Sequence, residues 1–94
     1  MYIKCFNVVF DDYIYIYRQN QTSWHPLTSS GIKNWTSVSI DDSENIIACD
    51  NNYVYISSSN FIGDRNWIQQ SFPDQGDQQS WVCVKIIGNT YFAA

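Results

Sequence analysis

The sequence predicts an all-β chain built of propeller-type, four-stranded antiparallel blades, about two per chain, with a small β-sandwich or barrel as the alternative. Three observations predict it. Short runs of aromatic and β-branched residues alternate with polar turns, and no stretch carries a helical period. The runs recur: Tyr53-Val54-Tyr55-Ile56 repeats Tyr13-Ile14-Tyr15-Ile16 at 40 residues, Asn66-Trp67 repeats Ser23-Trp24 at 43, and Trp81-Val82-Cys83-Val84 repeats Trp35-Thr36-Ser37-Val38 at 46. A period in the low forties with four strands per unit and a Trp in fixed places marks a propeller blade. The single domain 1–94 then divides into units at about 2–34 and 35–80, with 81–94 starting a third.

Each element follows from local chemistry. Residues 2–10 are rich in aromatic and β-branched side chains and read as a strand, closed by Asp11-Asp12. Residues 13–18 alternate Tyr and Ile, so both faces are expected to be buried. A polar turn at 19–22 leads to a strand at 23–27, where Pro26 suits an outer edge that pairs with nothing further. Residues 28–31 connect to the next unit: strands at 35–40, 46–49, 53–57 and 65–72, separated by turns at 41–45 and 50–52 and a loop at 58–64. Pro73 again closes the expected outer strand, and 74–79 form the second connection. Strands at 81–87 and 90–94 flank a Gly88-Asn89 turn. Trp24 and Trp67 are expected to be equivalent buried residues joining the third and fourth strands of each unit.

Composition narrows the partners. With 45% hydrophobic, 17% aromatic and 15% charged residues the chain is built to pack. Its charge is −4, and the five cationic residues Lys4, Arg18, Lys33, Arg65 and Lys85 are never neighbours, which argues against a phosphate-backbone footprint and hence against nucleic acid. The apolar run in MYIKCFNVVF is too short and interrupted for a signal peptide or a membrane span. A cytoplasmic protein, or one carried in a viral particle, is expected. Cys5, Cys49 and Cys83 each sit in an apolar stretch and are expected to be three buried, reduced thiols.

The spacing of strand, turn and Ser/Thr-Trp resembles the Asp-box repeats of sialidase-like and photosystem-assembly-type propellers, whose pattern is S-x-D-x-G-x-T-W. Tyr17-x-Gln19-x-Gln21-x-Ser23-Trp24 keeps that spacing and its last two residues in kind. The second copy, from Ser57 to Asn66-Trp67 with Gly63 inside, is three residues longer. Neither copy has the Asp in place. The resemblance implies a propeller in which each hairpin Trp packs between sheets.

No enzyme is expected. The resemblance would imply an arginine cluster with a Tyr-Glu nucleophile pair, whereas Arg18 and Arg65 stand beside predicted outer turns and the single Glu, Glu44, lies in a hairpin. The acidic residues fall in turns and loops, where they do turn chemistry and remain ionised. His25 has no Ser or Cys partner at recognisable spacing. Asp41-Asp42-Ser43-Glu44-Asn45 offers oxygen ligands of the type Ca²⁺ takes, but its spacing matches no established loop, so neither metal nor cofactor is expected. What remains is binding of protein or glycan by a surface of rings, amides and hydroxyls. Trp35 and Trp81, opening the inner strands, are the candidate ligand-stacking residues. Small lectins that close a propeller by association have a similar organisation. The alternatives are a structural or adaptor component of a phage or viral particle and a small acidic inhibitor of a host protein. Two blades fall short of the roughly four to eight of a closed propeller. A homo-oligomeric ring of three or four chains is therefore expected, with residues 2–10 and 81–94 meeting across a chain boundary and both claiming a second-strand place.

Overall fold

A computed structural model describes the protein at residues 2–5, 12–18, 22–58, 65–72, 81 and 83–94. Nine strands form there: β1 (Tyr2–Cys5), β2 (Ile14–Tyr17), β3 (His25–Leu27), β4 (Ser37–Ile40), β5 (Ile46–Cys49), β6 (Val54–Ser57), β7 (Ile68–Gln69), β8 (Val84–Ile87) and β9 (Thr90–Ala93). One turn of 3₁₀ helix at Thr28–Ser30 follows β3. The chain is all-β, and no helix among the described residues is long and apolar enough to cross a membrane. The expected continuation of the first strand to residue 10, parts of the turn at 19–22 and of the loop at 58–64, Pro73 and the connection at 74–79 lie outside the described residues.

The strands meander into three antiparallel sheets, ordered β1-β2-β3, β4-β5-β6-β7 and β8-β9. Registers are set by the turns. Between β4 and β5 the Asp41 carboxylate accepts the backbone N–H of Ser43 and Asn45 at 3.0 and 2.9 Å, pairing Ile40 with Ile46. Between β5 and β6 the Asp50 carboxylate does the same for Asn52 and Tyr53 at 2.8 and 2.7 Å, pairing Cys49 with Val54. These are the side-chain turns that Asp favours. Pro26 sits on the edge strand β3, opposite Tyr15.

The sheets stack face to face around two apolar cores. Ile14, Leu27, Trp35, Val38, Ala48, Tyr55 and Trp67 pack together between the first and second sheets. Ile47, Cys49, Val54, Trp81, Val84 and Ile86 pack together between the second and third. Because β5 feeds alternate side chains into both cores, all four of its residues are buried, which is why its sequence IIAC is continuously apolar. The first strands of successive sheets, β1, β4 and β8, lie beside one another, so the chain enters every sheet from the same side. Two serines of β4 join the second and third sheets there: Ser37 Oγ accepts the Val84 N–H and Ser39 Oγ the Ile86 N–H, both at 3.1 Å.

Several expectations are corrected. Trp24 is 36% exposed, whereas Trp67 is half-buried on Trp35 and donates its indole N–H to Ser29 Oγ at 3.1 Å. The two hold like positions in their sheets, but the first sheet lies against the face that carries Trp67, and the face of the first sheet that carries Trp24 points away from the second. The aromatic face of β2 is half-buried rather than buried for the same reason. Cys83 is exposed: alternation turns Val84 and Ile86 inward and Cys83 outward. The outer strand expected at 65–72 is regular only at Ile68–Gln69, extended by the Gln70 N–H to Val54 O bond at 2.8 Å.

Candidate functional site

Two places carry chemistry. The first is a charged cluster at one end of the stack, where the β4–β5 hairpin meets the ends of β2 and β6. Glu44 takes a left-handed backbone conformation at φ 63°, which turns its side chain and carbonyl toward two arginines. Arg18 donates Nε to Oε2 at 3.0 Å and Nη2 to Oε1 at 2.7 Å, a bidentate pair. Arg65 donates Nη2 to Oε1 at 3.3 Å and Nη1 to the Glu44 carbonyl at 2.7 Å, with Ser57 O and Oγ at 3.4 Å. The Arg18 hydrogen bonds hold the Glu44 carboxyl below its ordinary range, overcoming desolvation and helped by the charges of Arg18 and Arg65. A carboxylate held ionised by two guanidinium groups is a poor general acid near neutral pH. The cluster is a clamp between the first sheet, the hairpin and the approach to β7.

The second place is an apolar groove of about 480 Å³ beside β9. Ile47, Val54 and Ile56 of the second sheet form its floor, Phe72 one side, and Tyr91 and Phe92 the other. Phe92 is 50% exposed. Among the described residues β9 pairs with β8 alone. Gln70 and Ser71 are the polar members of the lining.

Trp35 and Trp81, read from the sequence as ligand-stacking residues, lie elsewhere. Trp35 is 1% exposed, edge-on to Tyr55 at 5.5 Å, and donates its indole N–H to Gly31 O at 3.3 Å. Trp81 is 6% exposed and stacks at a tilt on Phe72 at 4.7 Å. A stacking ligand needs an open ring face, and in both residues packing takes it. The other sequence candidates are structural. Asp41 receives the Asn45 amide at 3.0 Å besides its two backbone bonds, and no group of three or more metal-ligating side chains occurs among the described residues. Burial pushes the Cys49 thiol up, against the opposing effect of its hydrogen bond with Thr36, so it stays protonated and unreactive. The groove is the feature that sequence reading missed. Its signal is present in the two-residue turn before Thr90-Tyr91-Phe92, which makes β9 a strand with large rings.

None of the protein-family models matches this chain, and searches of curated proteins and of solved structures gave no match.

Proposed function

We propose that this chain is a non-catalytic scaffold of propeller type that binds another protein through the groove beside β9. The carrying observation is the groove itself: an apolar floor flanked by the exposed rings of Tyr91 and Phe92 on β9, a strand that pairs with β8 alone among the described residues. Such a surface takes a strand by backbone pairing and its side chains by burial. The propeller reading is supported by residues of one core that recur in the other. Ile14 and Val54 stand 40 residues apart, Trp35 and Trp81 46, Val38 and Val84 46, and Ala48 and Ala93 45. Entry of each sheet by its first strand at one side is the blade-to-blade connection of a propeller. The engaged carboxylates of Asp12, Asp41, Asp50 and Glu44 support a binding role over a catalytic one.

A second reading, glycan recognition, draws on a polar cleft of about 310 Å³ between the hairpin tips, lined by Asp41, Asp42, Ser43, Gly88 and Asn89. Two measurements separate the readings. A glycan array probed with the folded chain should return no selective signal, and a photo-crosslinking residue at Phe92 should give a discrete protein adduct. Selective glycan binding that Asn89→Ala abolishes overturns the protein reading.

A further inference from the structure

We infer that residues 65–70, the segment that carries β7, form a strap that opens from the second sheet as one unit, with Arg65 on Glu44 as its latch. The rest of the sheet stays folded when it does. Burial sets the segment apart. None of residues 65–72 is buried, whereas all four residues of β5, two strands away in the same sheet, are. β7 pairs Ile68 with Ile56 and Gln69 with Tyr55, and the Gln70 N–H to Val54 O bond at 2.8 Å extends the ladder by one step. So short a ladder with so little buried surface lies at the low end of local stability.

Side chains at two points set its position. Arg65 donates Nη1 to the Glu44 carbonyl at 2.7 Å and Nη2 to Glu44 Oε1 at 3.3 Å, and Nη1 also reaches Ser57 O and Oγ at 3.4 Å. Two residues on, Trp67 lies against Trp35 with ring centroids 6.0 Å apart, and its indole N–H donates to Ser29 Oγ at 3.1 Å. Past the strap, Phe72 stacks on Trp81 at 4.7 Å and packs on the second core, which makes it the pivot.

The two anchors differ in kind. The Trp67 contact carries no charge. The Arg65 contact joins a guanidinium to a carboxylate whose side chain is 24% open, so salt weakens it. Glu44 meets Arg65 from a left-handed backbone, φ 63°, a conformation that costs a residue with a Cβ. Arg18 grips the same carboxylate from the first sheet at 3.0 and 2.7 Å, so Glu44 keeps its place when the strap leaves. Opening therefore breaks the Arg65 and Trp67 anchors with the β6–β7 ladder, and leaves the Arg18–Glu44 pair and the serine bonds between β4 and β8 intact. It bares Ser57, which is fully enclosed in the closed form, and the part of Trp35 that Trp67 covers.

Native-state hydrogen exchange of the full chain tests this. The Gln70 amide and the Trp67 indole N–H report on the strap, and the β5 amides on global unfolding. Both strap reporters should follow one opening equilibrium and exchange about tenfold or more ahead of the slowest β5 amides. Arg65→Met removes a contact that is lost on opening, so it should accelerate both strap reporters by a common factor of about ten or more. Ser39→Ala removes the acceptor of the Ile86 N–H, a contact that opening leaves in place. It should accelerate the β5 amides and leave both strap reporters unchanged. In the unaltered chain, salt raised to about 1 M, where the screening length is about 3 Å, should accelerate the strap reporters, and in Arg65→Met it should not.

Strap reporters that respond to Arg65→Met by different factors, or not at all, overturn the inference, because the segment then frays residue by residue. Acceleration of both by Ser39→Ala also overturns it, since they then open only with the whole molecule. Exchange of the strap reporters that ignores salt in the unaltered chain removes the ionic latch and the inference with it. The salt series needs no variant, so it decides the matter where Arg65→Met does not fold.

Discussion

Glu44 holds Arg18 through two parallel hydrogen bonds of 3.0 and 2.7 Å, although the two residues are 26 positions apart and lie on turns of different sheets. Charge-assisted, bidentate pairs of this kind are the stronger hydrogen bonds of a protein. Arg65 completes the cluster from a third turn and is the least exposed member, with 13% of its side chain open. Removing Glu44 leaves two facing guanidinium groups without their shared acceptor.

Glu44→Gln should therefore lower stability at neutral pH by about 1–2 kcal/mol, the low part of the range for charged hydrogen bonds because Arg18 is more than a third exposed. The pH dependence follows from direction. Glu44 and Asp41 both titrate below their ordinary values in the folded chain, Asp41 because hydrogen bonds from Asn45 and Ser43 outweigh its desolvation. Groups depressed on folding contribute stability that is full above their unfolded pKa, about 4 for carboxylates, and lost as pH falls through the folded value. Urea midpoints measured downward from pH 6 should stay level and then drop below about pH 4, and the drop should be shallower in Glu44→Gln.

Trp35→Ala should cost about 3–5 kcal/mol, the range for a buried large aromatic, and Trp24→Ala less, because its indole is 36% exposed. Urea denaturation of the two variants checks both. Equal losses would contradict the burial difference between the two indoles.

That difference also marks where sequence reading stops. Every observed strand falls inside a stretch that reads as a strand, because period-two alternation and Asp, Asn and Gly turns are local signals. The double burial of β5 is legible in IIAC for the same reason. Burial of a face is another matter, since it depends on which sheet lies beyond it. Trp24 and Trp67 have like local sequence and different exposure, and the stretch WVCVKII carries one inward set, Val84 and Ile86, and one outward, Cys83 and Lys85. The Arg18–Glu44–Arg65 cluster was not legible at all. Each member reads as an ordinary turn residue, and only the stacking of sheets brings them together. The groove was half legible: β9 was expected as a strand, but the bare floor beside it is a property of the packing.

Cysteine labelling gives an independent check of the third sheet's orientation. At pH 8 an alkylating reagent should modify the exposed Cys83 rapidly and Cys49 only on unfolding, because Cys49 is buried and its thiol is pushed up by that burial. Peptide mapping assigns the sites. Fast labelling of Cys49 would place β5 at the surface and contradict its position between two cores.

The β8–β9 turn isolates a purely conformational effect. Gly88 has φ +58°, and among the described residues nothing beyond its two chain neighbours lies within 4 Å of the place a Cβ would take. Positive φ at the first of two central residues is the demand of a tight hairpin turn that Gly meets without strain. Gly88→Ala should destabilise by about 1 kcal/mol through the left-handed backbone alone, and Gly88→Asn by less. A neutral Gly88→Ala, read by thermal denaturation, would show that the turn relaxes to another form.

The last prediction concerns how two neighbouring sheets meet at their first strands. β4 and β8 do not form a ladder; instead Ser37 and Ser39 offer their hydroxyl oxygens to the backbone N–H groups of Val84 and Ile86 at 3.1 Å. Val84 and Ile86 are buried, so water is a poor substitute acceptor. A buried donor left without an acceptor costs about 1–3 kcal/mol. Ser39→Ala should therefore lose about 1–2 kcal/mol, and Ser37→Ala about as much, whereas Ser43→Ala at the exposed hairpin tip should change stability little. Hydrogen exchange gives the site-specific readout: the Ile86 amide should exchange faster in Ser39→Ala and the Val84 amide in Ser37→Ala, each without the other. Unchanged exchange at both amides would mean that the serines are packing residues and that the sheets are joined by the apolar core alone.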